Sequence, residues 1–112
     1  MENSENEIET SLGWTFLTNH AHVLLCLGQS SGMRMRDIAE KVGITERAVQ
    51  HIIADLVNAG YIDRVRDGRC NVYQLHLDKN LRHPIEAHRK IAGLLSFINN
   101  AFGDDIEDES SS

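Results

Sequence analysis

Residues 36–75 read RDIAEKVGITERAVQHIIADLVNAGYIDRVRDGRCNVYQL. Within this stretch Ile38, Ala39 and Val42 have the spacing of one helix face, so a helix of about two turns is expected over residues 37–42. Gly43 ends it, Ile44 points inward, and Thr45 followed by Glu46 opens another helix, as an N-cap hydroxyl and an acidic first turn favour. In that helix Val49, Ile52, Ile53 and Leu56 fall at i, i+3, i+4 and i+7, and Arg47, Gln50, His51 and Ala54 repeat the spacing on another face. Two helices joined this tightly need a small residue at their crossing and a turn residue that tolerates unusual backbone angles. Ala39 and Gly43, four apart, supply them. The pattern predicts a helix-turn-helix, against a generic three-helix bundle.

Beyond it, Ala59-Gly60 closes the third helix, and residues 61–66 and 69–76 form the arms of a hairpin with Asp67-Gly68 at the turn. Ile62 and Val65 have opposite parity, so a bulge is expected to absorb one residue of register. Upstream, Thr18 or Asn19 caps a first helix whose Val23, Leu24 and Leu27 share a face until Gly28 stops it, and Met33 to Met35 reads as a very short strand. Downstream, Pro84 suits a first helical position, opening a segment in which Ile91, Leu94, Leu95, Ile98 and Phe102 have helical spacing up to Gly103. The expected fold is mainly α with a small β-hairpin wing, a winged helix-turn-helix. Its divisions are an acidic flexible tail over 1–11, the winged domain over 12–82, a C-terminal dimerisation helix over 83–102 and a second acidic tail over 103–112.

The chain has 112 residues, enough for one core, and a net charge of −6. That sign argues against a nucleic-acid partner until its distribution is considered. Glu2, Glu5, Glu7 and Glu9 lie at one end and Asp104, Asp105, Glu107, Asp108 and Glu109 at the other, with no Lys or Arg beside them. Residues 10–102 therefore hold eight acids against all eleven bases, a net of +3. Cys26 and Cys70 are too far apart in sequence for a CxxC site and are expected to be reduced thiols. No apolar run approaches the roughly 18 residues of a membrane span, and the acidic start is unlike a secretory signal, so a soluble cytoplasmic protein, nucleoid-associated if it binds DNA, is expected.

The 36–75 stretch, with NHAHVLLCL at 19–27 and RHPIEAH at 82–88, resembles the winged helix-turn-helix transcriptional regulators of bacteria and archaea of the MarR and ArsR kind. The resemblance implies a DNA-binding regulator, dimeric, with the helix over 45–59 in the major groove of double-stranded DNA and the 62–76 wing over the flanking backbone. It departs from many relatives at His51, where Arg is common, and at Cys70, which interrupts a more basic wing.

The residues expected to meet DNA follow from position. Arg47, Gln50 and His51 lie early on the third helix, where side chains reach base edges, and Arg and Gln have the fork geometry that guanine and adenine require. Thr45 is first a cap, with its hydroxyl or amide in reach of a phosphate; Arg36 suits a phosphate contact. Arg64, Arg66 and Arg69 concentrate charge on the hairpin, with Asn71 beside them, while Asp63 and Asp67 oppose their field. An apolar stripe of Ile91, Leu94, Leu95, Ile98 and Phe102, aided by Trp14, is expected to form a homodimer interface unless the first helix covers it.

The six histidines lack metal-ligand spacing, HPIEAH is not the HExxH pattern, and no nucleophile motif or phosphate loop occurs, so no enzyme activity, metal or cofactor is expected. A small-molecule effector is compatible with a regulator, although no residue specifies one. The alternative function is a winged-helix protein-interaction module that does not bind DNA.

Overall fold

The computed structural model describes residues 13–99; both acidic tails, and Phe102, lie outside the described residues. The order of elements is α1 (Asn19–Gln29), α2 (Met35–Val42), α3 (Glu46–Asn58), β1 (Ile62–Asp67), β2 (Cys70–Leu75) and α4 (Ile91–Asn99). This is the mainly helical winged helix-turn-helix that the sequence predicts. Val23, Leu24 and Leu27 of α1, Ile38 of α2, Val49, Ile52 and Ile53 of α3 and Ile62 of β1 are buried together, with Ile91 and Leu95 of α4 closing the cluster. Every helix thus contributes its apolar face to one core.

The tight turn is built as its residues dictate. Gly43 has φ 89°, a left-handed conformation that a side chain disfavours, and its amide and that of Ile44 both donate to the Ala39 carbonyl, at 2.8 and 3.0 Å. The Thr45 hydroxyl accepts the Ala48 amide at 3.0 Å, fixing the start of α3. Thr18 caps α1 in the same way through Ala21.

Several local expectations are corrected. Gly28 does not end α1, which runs through it to Gln29. A Cβ at Gly28 would lie 3.0 Å from Asn99 Nδ2 and 3.3 Å from Leu95 Cδ2, so this glycine serves close packing of α1 on α4. Residues 33–35 form no strand; Met35 already belongs to α2, and a single hydrogen bond from the Tyr73 amide to the Ser31 carbonyl (3.1 Å) is the link between that loop and the hairpin. Nor does the hairpin carry a bulge. Six consecutive pairs run from Ile62 with Leu75 to Asp67 with Cys70, which makes the two-residue turn Gly68-Arg69, one residue later than expected, with Gly68 at φ 66°. The apparent parity conflict is resolved by leaving Val65 outside the core, half-exposed and opposite Val72.

Pro84 does not start a helix either, and the proposed 83–102 helix is shorter. Residues 84–88 form turns, and α4 begins at Ile91. A bridge between Asn80 and Lys90 closes this loop, with the Leu81 amide bonded to the Arg89 carbonyl and Asn80 Nδ2 to the Ala87 carbonyl. The local signal of Pro84 is overridden by these pairings across the loop.

Candidate nucleic-acid interface

On α3 the buried residues Val49, Ile52, Ile53 and Leu56 fix the orientation of the helix. At 100° per residue, Arg47, Gln50, His51 and Ala54 then lie about 180° away, and all four are exposed. The side chains of Arg47, Gln50 and His51 make no hydrogen bond or ion pair to any described residue. Side chains with forked or ring donors thus stand on the outer face of a helix whose inner face is fully packed. Arg36, in the first turn of α2, is also exposed, whereas its neighbour Arg34 is paired to Asp37, Nε to Oδ2, at 3.1 Å.

Thr45 is exposed, and its hydroxyl already holds the Ala48 amide. Thr45→Ala is therefore expected to lower unfolding stability by about 1 kcal/mol, and Thr45→Ser to preserve most of it, in urea denaturation followed by circular dichroism.

The register of the hairpin sorts its charges. Cross-strand partners share a face, so Ile62, Arg64 and Arg66 stand with Leu75, Tyr73 and Asn71. Asp63, Val65 and Asp67 stand with Gln74, Val72 and Cys70 on the other. The acids that appear in sequence to cancel the arginines thus point away from them. Asp63 is also engaged by His76, Nε2 to Oδ2, at 2.8 Å. The Arg64 guanidinium carbon lies over the buried Tyr73 ring, 5.9 Å from its centroid, within cation–π range. Arg66 donates from Nε to the Gly68 carbonyl (3.3 Å), and Arg69 occupies the turn itself.

Tyr61, which its sequence context does not single out, ties the hairpin to α3. It is buried; its amide donates to the Leu56 carbonyl at the end of α3, its carbonyl accepts the His76 amide, and its hydroxyl donates to the Asn80 carbonyl at 2.7 Å. The Lys79 ammonium sits 5.2 Å over its ring. The signal available in sequence was a large aromatic with a polar tip placed directly after the Gly60 stop. Asp55 Oδ2 of α3 accepts from His20 Nε2 of α1 at 2.8 Å, an exposed pair that adds little stability.

The apolar stripe of α4 is divided. Ile91 and Leu95 are buried against the chain's own core, with α1 covering them, and Leu94 is half-buried. What stays outside is Ile98 at 42% exposure, Phe97 at 84%, and the edge-on pair Trp14 (70%) and Phe16 (91%), whose ring centroids are 4.9 Å apart. Phe97 was not singled out by the helical spacing because it falls off that stripe. An apolar cleft of about 630 Å³ opens between α1, the end of α3 and α4, lined by His20, Asp55, Tyr61, Arg82 and Leu94 among others. Cys26 is buried, which raises its thiol above the usual range against a weak opposing pull from Lys41; Cys70 is exposed near the hairpin turn. Among the described residues no three His, Cys, Asp or Glu side chains gather as metal ligands, and no helix is long and apolar enough to cross a membrane.

Comparison with known proteins gives the following. The MarR family model matches residues 18–69, from the α1 cap to the hairpin turn. No curated protein sequence matches the chain. Among solved structures, the chain is similar to the PcaV transcriptional regulator from Streptomyces coelicolor in complex with its natural ligand, at 24% identity over 77% of this chain and 60% of that one, TM-score 0.48. It is also similar to the Mycobacterium tuberculosis MarR family protein Rv2887 in complex with salicylic acid, at 27% identity over 63% and 53%, TM-score 0.45. A third is MepR, a transcription regulator of the Staphylococcus aureus multidrug efflux pump MepA, at 18% identity over 88% and 67%, TM-score 0.48. The chain thus spans little more than half the length of the first two. Over residues 18–69, which hold α1, the helix-turn-helix and the first strand of the wing, this chain is similar to the MarR family.

Proposed function

We infer that this chain is a sequence-specific DNA-binding regulator of transcription that acts as a homodimer on a pseudo-palindromic operator. Helix α3 enters the major groove and the hairpin lies on the flanking backbone. The observation that carries this is the outer face of α3, where Arg47, Gln50 and His51 are exposed and uncommitted while the opposite face is packed. In this reading Arg47 and Gln50 read base edges, and His51 hydrogen-bonds a base or phosphate. Arg36, the Thr45 backbone, Arg64, Arg66, Arg69 and Asn71 hold the phosphates. The family match over the helix-turn-helix supports it. A regulator of this kind acts in the cytoplasm, on the nucleoid.

The dimer is proposed to form through what the chain itself leaves uncovered: Ile98, Leu94 and Trp14, to which Phe97 and Phe16 are now added. Ile91 and Leu95 shape that surface from beneath; Phe102 lies outside the described residues. The cleft beside Leu94 touches both α4 and the end of α3, and gives a small-molecule effector a place from which to act on both.

Selection from a random DNA pool, followed by titration of the winning duplex against salt, tests the reading. The expected result is a pseudo-palindrome with half-sites about one helical turn apart, bound with affinity that falls steeply as salt rises. Light scattering on the same sample should give twice the chain mass. Folded protein that enriches no sequence would favour the protein-interaction module instead.

A further inference from the structure

We propose that the acidic segment Asp104, Asp105, Glu107, Asp108 and Glu109 docks on the arginine face of the hairpin of its own chain and competes there with DNA. The proposal rests on the DNA-binding reading above for its consequence, but the contact itself stands on separate observations.

The first is where the described chain ends. Asn99, the last described residue, donates from Nδ2 to the Leu25 carbonyl at 2.9 Å and accepts Gln29 Nε2 at 3.2 Å, so the segment beyond it starts beside the C-terminal end of α1. Two residues past Gln29, the Ser31 carbonyl receives the Tyr73 amide of β2. The exit point is therefore next to the base of the hairpin. An open groove connects them directly: Asn99 and Gln29 line one part of it, and Leu75 and Tyr73 line another.

The second is which face that groove meets. Tyr73 and Leu75 share their side of the hairpin with Arg64, Arg66 and Asn71, and the Arg64 guanidinium lies over the Tyr73 ring. Arg66 is two residues further out than Arg64, about 7 Å along the strand. The acids Asp63 and Asp67 are on the opposite side, so nothing on the strands neutralises this face. A segment that follows the groove from Asn99 arrives at cations.

The third is reach and charge. Residues 100–109 can extend about 35 Å, more than the roughly 20 Å length of a six-residue strand. Five of the last six residues of that stretch are acidic, and no Lys or Arg occurs among them. Tethering at Asn99 holds these carboxylates at an effective concentration on the order of millimolar around the arginines. A phosphate backbone offers the same chemistry, anionic oxygens, at higher charge density, so an operator held also by α3 displaces the segment while a non-cognate duplex does so less readily. The segment would thus act as a filter against nonspecific binding.

The other acidic end provides an internal control. Glu2, Glu5, Glu7 and Glu9 alter net charge almost as much but join the fold through the N-terminal end of α1, which lies about 16 Å from the end that carries Gln29. The experiment compares the full chain with D104N/D105N/E107Q/D108N/E109Q and with E2Q/E5Q/E7Q/E9Q. Binding to a mixed-sequence duplex is followed by anisotropy, and the amide and arginine Nε–H signals of residues 62–75 are followed by NMR. The expected result is that the first variant binds the mixed duplex about fivefold to tenfold more tightly at about 50 mM salt, with the gain lost by about 300 mM, and that its Arg64 and Arg66 signals move. The second variant should change affinity less than twofold and leave those signals in place. Equal gains in both variants with unmoved hairpin signals would overturn the proposal, leaving only a general charge effect. If no variant bound any duplex, the DNA-binding reading would fail, and the hairpin signals would still decide: moved signals uphold the contact and unmoved ones refute it.

Discussion

Arg47→Ala is expected to weaken binding to the selected operator by about 1 to 3 kcal/mol, roughly fivefold to over a hundredfold, while changing affinity for a scrambled duplex far less. The expectation follows from position and freedom. Arg47 stands in the first turn of α3, on the exposed face, and is held by no described partner, so its guanidinium is available for a bidentate contact to a guanine edge. The helix itself should be untouched, because the packed face lies opposite; stability should stay within about 0.5 kcal/mol. Arg69→Ala supplies the contrast. At the hairpin turn its expected partner is a phosphate, so the loss should be smaller, similar on both duplexes, and accompanied by a salt slope reduced by about one. Anisotropy titrations of the two variants on both duplexes distinguish these patterns. An Arg47→Ala variant that lost equally on operator and scrambled DNA would remove the base-reading role.

Ile53→Ala should have the largest effect on folding. Ile53 is 0% exposed at the middle of α3, with Ile38, Val23 and Ile62 among the fully buried side chains around the same core. Truncating such a residue costs about 2 to 5 kcal/mol, since the lost methyl groups leave a cavity that a well-packed interior closes only in part. A small domain has about 5 to 15 kcal/mol in all, and each kilocalorie shifts its midpoint by about 4 to 8 °C, so a fall in Tm of more than 10 °C is expected. Ala54→Ser, one residue along and on the exposed face, should leave Tm nearly unchanged. Thermal denaturation of the pair measures how firmly α3 is seated; a small effect of Ile53→Ala would mean that the core closes around the gap.

The helix-turn-helix was legible because its signals are local. Ala39, Gly43 and Thr45 act within seven residues of chain, through a carbonyl that accepts two amides, a left-handed φ and a capping hydroxyl. What sequence missed depends on residues far away. Gly28 looks like a helix stop, and only Leu95 and Asn99, some seventy residues on, reveal it as a close approach. Pro84 looks like a helix start, and only the bridge from Asn80 to Lys90 shows why a loop forms there. In the hairpin a shift of one residue in the turn separates Asp63 and Asp67 from Arg64 and Arg66, turning an apparent mixture of charge into two sorted faces. The helical spacing of Arg47, Gln50 and His51 places them off the packed face of α3, and their exposure agrees with it. On α4 the spacing identified an apolar stripe but could not divide it between Ile91 and Leu95, which α1 covers, and Phe97 and Ile98, which remain outside.

Tyr61 carries one more consequence. Because it bonds to the last turn of α3, to the first residue after β2 and to the loop at Asn80, α3 and the hairpin are held as the two jaws of a caliper with a fixed gap. Under the DNA-binding role proposed above, a duplex bound across that gap must adjust to it. The selected operators should then show base preferences at positions that no side chain touches, where flexible pyrimidine–purine steps let the groove take up the set spacing.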